Sequence, residues 1–387
     1  MPRLGASIAG MSAPSEESSD TRPVPGERVL RAWRTWLPFA VVIAVLLAVA
    51  SLVVSLATGA PAAQSPSCPP AGDGPAVRVG PPEFTDNNLA VYVGGDLVSA
   101  SAVATAEGLL VVRGNTSLAT AGGAGVTVVG ATGVGTGVAP TPGTTMFAVG
   151  GDLAIRPDAA LELGRDDHGG GNLVVGGTVT PGAAIASHGG RVHTGVGPSA
   201  VAEFREFGET LETRSQALAG LPPTGVTTLA GRSLYFSGDG VAALQVFAVD
   251  GRTLARSTLV DFTGIPDRAA VVITVSGENV ALGTGPVQDA GVRIVPGPGA
   301  SRVAGRTLWN FAEARSVTIT GTSPVLGSVV VPAGRASVGA PTIGRLYVGG
   351  DLLLPAVPGR RDPARHSNAG WSGVAAFACQ PVREIVQ

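Results

Sequence analysis

The sequence predicts an all-β protein: a β-solenoid (β-helix) with one long amphipathic α-helix packed alongside, plus an N-terminal transmembrane helix. Three observations carry this. The phrase Val-Gly-Gly-Asp-Leu recurs at Val93–Leu97, Val149–Leu153 and Val348–Leu352, with a degenerate copy at Val175-Gly176-Gly177-Thr178. Short apolar runs bounded by glycine fill most of the remaining chain. A single stretch, Ala200 to Ala219, shows helical periodicity instead.

Each phrase joins a β-branched run to another through a glycine pair, and glycine can take positive φ and turn sharply. The strand-like runs include Leu109–Arg113, Val126–Val129, Leu173–Val175, Ser233–Phe236, Ala270–Val275, Val292–Val295, Ser316–Thr320 and Gly327–Val331. Strands this short and this often punctuated suit a sandwich, a barrel or a solenoid. The recurring turn phrase favours the solenoid, although its spacing is irregular and no strict period can be written. With 57 Gly, 30 Pro and 4% aromatic residues, the chain must bury surface through thin layers of short strands.

In the helical stretch, Val201, Phe204, Phe207, Leu211 and Leu218 share one face. Ser199 is placed to act as N-cap, Gly220 as the stop, and Pro222-Pro223 forbid continuation. About five turns result, whose apolar stripe is expected to cover the side of the coils. Such a helix can also carry the chain along the solenoid, so that the last glycine phrase stacks near the first and Cys379 comes towards Cys68.

The run Leu37–Leu56 is uncharged and long enough to cross a hydrocarbon core of about 30 Å. Arg28, Arg31 and Arg34 precede it, which places the N-terminus in the cytoplasm and the rest outside. Residues 1–36 read as a disordered cytoplasmic tail, 37–56 as a signal anchor in the cell membrane, 57–82 as a Pro/Ala/Gly-rich linker, 83–378 as the folded domain and 379–387 as a tail. A cleaved signal peptide is the competing reading, since Ala60-Pro61-Ala62 resembles a cleavage site. The only cysteines, Cys68 and Cys379, are a candidate disulfide in an oxidising exterior, with two unpaired thiols as the alternative.

All 26 basic residues are Arg, which excludes lysine chemistry and points to a G+C-rich bacterial genome. The formal net charge of −2 argues against a nucleic-acid binder. His168, His188, His193 and His366 lie in no nucleophile context, so no catalytic residue is assigned. Asp166-Asp167-His168 with His188 and His193 matches no metal-ligand spacing and reads as exposed turn residues; no metal or cofactor is expected. The aspartates of the three phrases, Asp96, Asp152 and Asp351, invite a calcium reading, but Asp commonly accepts backbone N–H bonds in turns. Trp309-Asn310-Phe311 reads as a buried strand start rather than a sugar platform, and Asn115-Thr116-Ser117 as an accidental glycosylation sequon.

The order of these features resembles the choice-of-anchor A domain of bacterial surface proteins. It is carried by the early glycine phrases, a mid-chain helix, Leu308-Trp309-Asn310-Phe311, Ser316-Val317-Thr318-Ile319, Gly327-Ser328-Val329-Val330-Val331-Pro332-Ala333, and Gly344-Arg345-Leu346-Tyr347-Val348-Gly349-Gly350. Gly334 stands where that family usually continues Asn-Ala, and the closing Arg365-His366-Ser367-Asn368 with Trp371 departs from its usual ending. The resemblance implies a surface-displayed adhesin-like or structural module without catalysis. It also implies that Leu37–Leu56 replaces the C-terminal attachment devices of that family. Its extracellular partner, whether surface, glycan or protein, stays open. Two other functions remain in play. An ice-binding solenoid would need a flat array of threonines on successive coils, which Thr318, Thr320 and Thr322 on one strand do not supply. A polysaccharide-cleaving β-helix would need clustered acids on one face.

Overall fold

A computed structural model describes residues 89–356, other than 102, 120–124, 131–140, 166–168, 268 and 296–297. The anchor Leu37–Leu56, the linker, the tails and both cysteines therefore lie outside the described residues, as do Asp166, Asp167, His168 and His366. Among the described residues no helix is long and apolar enough to cross a membrane.

The described chain is mostly β, as the glycine-bounded runs predict, and most of those runs form strands with ends shifted by a residue or two. Its strands stack into coils. A ten-stranded sheet takes one strand from each successive coil, and a seven-stranded sheet takes the strand that follows the corner. Pairing between coils in both sheets is parallel throughout. The third side is divided among Val103–Ala106, Gly125–Val129 and Ala159–Arg165, then Val325–Leu326 with Thr342–Ile343, then Ser233–Ser237, Leu259–Thr263 and Val287–Asp289.

Coil order is not chain order. The strand Leu89–Val93 pairs on one side with Leu109–Val112 and on the other with Leu346–Val348, near the end of the described chain. From Leu89 the coils run outward to Val192–His193; the chain then crosses to the far end, and from Leu244–Asp250 the coils run back until Leu346–Val348 meets Leu89–Val93. The expectation that the last glycine phrase stacks on the first is borne out.

The crossing is made by the helical stretch, though not as one helix capped at Ser199. A 3-10 helix spans Gly197–Phe204, with Val201 in non-helical φ/ψ, and the α-helix spans Phe207–Ala219. The Ser199 hydroxyl donates to the Val196 carbonyl at 2.7 Å and caps nothing. The division follows from what each piece covers. The first lies against the early strands Leu109–Val112, Thr145–Val149 and Asn172–Val175, while the second reaches Ala270–Ser276 and Thr307–Asn310. The apolar stripe is as the periodicity predicts: Phe204, Phe207, Leu211 and Leu218 are buried against Tyr92, Val111, Ala148, Val272, Leu308 and Tyr347. The Phe207 ring packs 4.6 Å from that of Tyr92 and edge-on to Tyr347 at 5.2 Å, within the range where aromatic pairs attract.

One polar contact fixes the register of helix on sheet. Asn310 is fully buried; its Nδ2 donates to the Ser215 carbonyl at 2.8 Å, and its Oδ1 accepts from the Ser215 hydroxyl. Trp309 points the other way, into the coils, where its Nε1 donates to the Leu326 carbonyl at 2.9 Å and its ring meets Phe236. The buried-strand reading of Trp309-Asn310-Phe311 therefore holds.

The junction of first and last coils has its own clasp. Buried Arg345 and Tyr347 both donate to the Leu89 carbonyl, at 2.7 and 2.9 Å. Burial pushes the Tyr347 phenol up to about 12 and lowers the Arg345 guanidinium, because a low-dielectric site disfavours whichever form is charged.

Candidate binding face

The helix covers the outer side of the ten-stranded sheet, which leaves the seven-stranded sheet as the broad face open to solvent. It is built from Asn279–Thr284, Ser316–Gly321, Arg335–Val338, Leu352–Leu354, Leu97–Ser99, Thr116–Leu118 and Leu153–Ile155. Alternation along each strand sends Val280, Val317, Ala336, Leu352, Leu97, Leu118 and Leu153 into the core. Their neighbours face out in register: Ala281, Thr318, Ser337, Leu353, Val98, Ser117 and Ala154 form one row across all seven strands. No member carries a charge, and each is small or apolar.

The centre of the row is its most apolar point. Val98 and Leu353, 42% and 40% exposed, sit directly opposite one another where first and last coils meet. At the usual spacing of about 4.8 Å between strands, the row is roughly 29 Å long. The array of threonines that ice binding would need is not formed: Thr318 is the only threonine in the row, and Thr320 next to it lies opposite Gly283.

The corner beside this face is where the glycine phrases fall. The Asp351 Oδ1 accepts from the Asp96 backbone N–H of the next coil at 2.9 Å, and the Asp96 Oδ1 accepts from the Asn115 N–H at 2.7 Å. Continuing, the Asn115 Oδ1 accepts from the Asp152 N–H at 2.9 Å, and the Asp152 Oδ1 accepts from the Thr178 N–H at 2.6 Å and its hydroxyl at 2.9 Å. These bonds hold the Asp152 carboxyl below the usual carboxylate range. The three aspartates do accept backbone N–H bonds, but from the neighbouring coil rather than from their own turn.

The same ladder explains the glycines, and here the positive-φ expectation is corrected. None of Gly94, Gly95, Gly150, Gly151, Gly176, Gly177, Gly349 and Gly350 has positive φ. Close approach is what requires them. A Cβ on Gly94, Gly150 or Gly176 would lie 2.1–2.2 Å from the carbonyl oxygen of Gly349, Arg113 or Gly150, and one on Gly95, Gly151 or Gly177 would lie 2.2–2.3 Å from the side-chain oxygen of Asp351, Asn115 or Asp152. The first glycine lets two backbones touch; the second makes room for the side chain of the ladder. Arg113-Gly114-Asn115 is a further copy that the sequence phrase hides, with an amide replacing the carboxylate.

The histidines fall elsewhere. His193 is exposed on the strand at the end of the ten-stranded sheet, and His188 sits in a turn with φ of 46°. Among the described residues no group of three or more His, Cys, Asp or Glu is placed to hold a metal ion.

Coils stacked in parallel, a helix over one broad side and a second broad side crossed by an uncharged row define a class of β-solenoid domain. The family described as "Putative Ice-binding-like adhesive domain" matches residues 85–350, more than half of the chain. The chain belongs to that ice-binding-like adhesive domain family. Two solved structures are similar to it. One is an ice-binding protein from an Antarctic biological consortium, at 16% identity and a TM-score of 0.31, covering 72% of this chain and 90% of that one. The other is an ice-binding protein from the Antarctic ascomycete Antarctomyces psychrotrophicus, at 14% identity and a TM-score of 0.26, covering 71% and 96%. No curated protein matches.

Proposed function

We propose that this chain is a non-catalytic adhesin-like β-solenoid, of the choice-of-anchor A kind, displayed outside the cell from a membrane segment at Leu37–Leu56. In this reading its seven-stranded face is the adhesive surface. The observation that carries it is the uncharged row from Ala281 to Ala154 with Val98 and Leu353 at its centre. A row without charges loses little on dehydration and gains from apolar contact, and Arg335 stands at its edge beside the corner. Its usable area is on the order of 400 Å², about half of what one partner contributes to a standard protein interface. One face therefore holds weakly, and adhesion comes from many copies anchored side by side.

The test is detachment force. Vesicles bearing the full chain should adhere to polymer-coated surfaces, and Val98→Glu with Leu353→Glu should abolish this without lowering the melting temperature. Equal adhesion by that variant would refute the assignment of the face.

A second reading, ice binding, is favoured by the family description. The sparse threonines on the open face weigh against it. Absence of thermal hysteresis and of ice-recrystallisation inhibition by the full chain would dismiss it.

A further inference from the structure

Beside the corner ladder, on the side away from the open face, the 3-10 helix Gly197–Phe204 stands over two coils and encloses a groove of about 420 Å³, within the roughly 300–1,000 Å³ usual for small-molecule sites. Its floor is the backbone of Gly150, Gly151, Gly176 and Gly177. Those glycines are fixed by coil-to-coil packing, so the floor has no side chains to fill the space above it.

The walls carry charge. In the column of first glycines, Gly349, Gly94, Gly150 and Gly176, one position on an intervening coil is Arg113. Its side chain rises from a corner otherwise bare, and its Nη1 leans towards the start of the Phe207–Ala219 helix, 3.9 Å from where a Gly208 Cβ would stand. Arg205, at the end of the 3-10 helix, lines the groove as well. Both arginines are exposed, and among the described residues neither guanidinium has an ion-pair or hydrogen-bond partner. Asp152 is the third charged group. One of its oxygens is committed to Thr178, leaving the other as an acceptor.

We propose that this groove binds a uronic-acid residue of an acidic glycan, with its carboxylate between Arg113 and Arg205 and a ring hydroxyl donating to Asp152. Charge-assisted bonds from guanidinium to carboxylate are the strong polar contacts available here. A bare inorganic anion has no hydroxyl to donate to Asp152 and leaves its repulsion unrelieved, and a neutral sugar would leave both arginines without a counter-charge. Val201 and Pro198 offer an apolar wall for the face of the ring. The inference rests on the adhesive reading only in giving it a ligand class. The groove is a different surface from the open face, so either can fail alone.

The experiment titrates the full chain in nonionic detergent with trigalacturonate, galactotriose and sodium sulfate, by calorimetry. Trigalacturonate is expected to bind. Arg113→Gln and Arg205→Gln should each weaken it at least tenfold, and Ala202→Phe, which fills the groove from an exposed position without altering charge, should do the same at unchanged melting temperature. Galactotriose should not bind, and sulfate should bind far more weakly. The proposal is overturned if trigalacturonate does not bind, if galactotriose or sulfate binds as tightly, or if Ala202→Phe leaves binding intact. Val98→Glu with Leu353→Glu should leave trigalacturonate binding unchanged, which separates this site from the open face.

Discussion

Substituting Gly151 by Ala probes the corner ladder most sharply. Its φ is not positive, so alanine meets no backbone strain there. The new Cβ would, however, lie 2.3 Å from the Asn115 Oδ1, with its other close neighbours no nearer than 3.1 Å. The amide must move by about 1 Å or more, which breaks its 2.9 Å bond from the Asp152 N–H. Loss of that bond costs about 1 kcal/mol and residual overpacking about 1–2 kcal/mol, so Gly151→Ala should destabilise by about 2–3 kcal/mol. Asn115→Ala alone loses the same bond without the clash, at about 1 kcal/mol. The double variant should then be more stable than the sum of the two by at least about 1 kcal/mol. Gly150→Ala is the control: its Cβ would lie 2.2 Å from the Arg113 carbonyl oxygen, a backbone atom that Asn115→Ala does not remove. Urea midpoints of the full chain, followed by the circular dichroism of the sheets, give all five values. Strict additivity of Gly151→Ala with Asn115→Ala, or equal rescue of Gly150→Ala, would refute the ladder as the reason for the second glycine.

Three further outcomes follow from the same contacts. Asn310→Leu should destabilise by about 2–3 kcal/mol, because it strands the buried Ser215 hydroxyl and removes the second bond to the Ser215 carbonyl; faster hydrogen exchange in Phe207–Ala219 than in the corner coils is its local signature. With its folded-state pKa raised above the ordinary 10.0, Tyr347 contributes stability that is complete below pH 10 and is lost as pH rises towards about 12. Tyr347→Phe should flatten that alkaline loss in pH-dependent melting, while costing about 1 kcal/mol at neutral pH through its bond to Leu89. Asp152 has the opposite sign: its lowered pKa gives stability present above about pH 3.8 and lost as pH falls further, and Asp152→Asn should remove that acid sensitivity.

Much of the fold was legible because it depends on local pattern. Leu97, Leu118 and Leu153 alternate with outward neighbours at strand period, and Phe204, Phe207, Leu211 and Leu218 repeat at helix period, so both elements and their buried sides could be read directly. Even the meeting of first and last coils was foreseeable from a repeated phrase divided by a helix. What could not be read was long-range. The donor to Asp351 is 255 residues away, and no local window shows that the glycine at Gly95 exists to admit that carboxylate. Arg113-Gly114-Asn115 escaped notice because an amide fills the role of the acid and an arginine that of a glycine. The break between Phe204 and Phe207 is invisible to periodicity, since it answers to two different sets of coils. Of the binding face, Thr318 and Thr320 could be seen on one strand, but the row through Leu353 and Val98 exists only once the coil order is known.

That coil order is the central claim, and a cross-link tests it. Val98 and Leu353 are paired residues on adjacent parallel strands, at a separation of about 4.8 Å that a disulfide can span. In a chain with Cys68 and Cys379 changed to serine, Val98→Cys with Leu353→Cys should form an intramolecular disulfide in the folded state, seen as a mobility shift without reductant. Val98→Cys with Thr318→Cys, three strands apart in the same row, should not. Failure of the first pair to close, or equal closure of the second, would contradict the stacking of the last coil on the first.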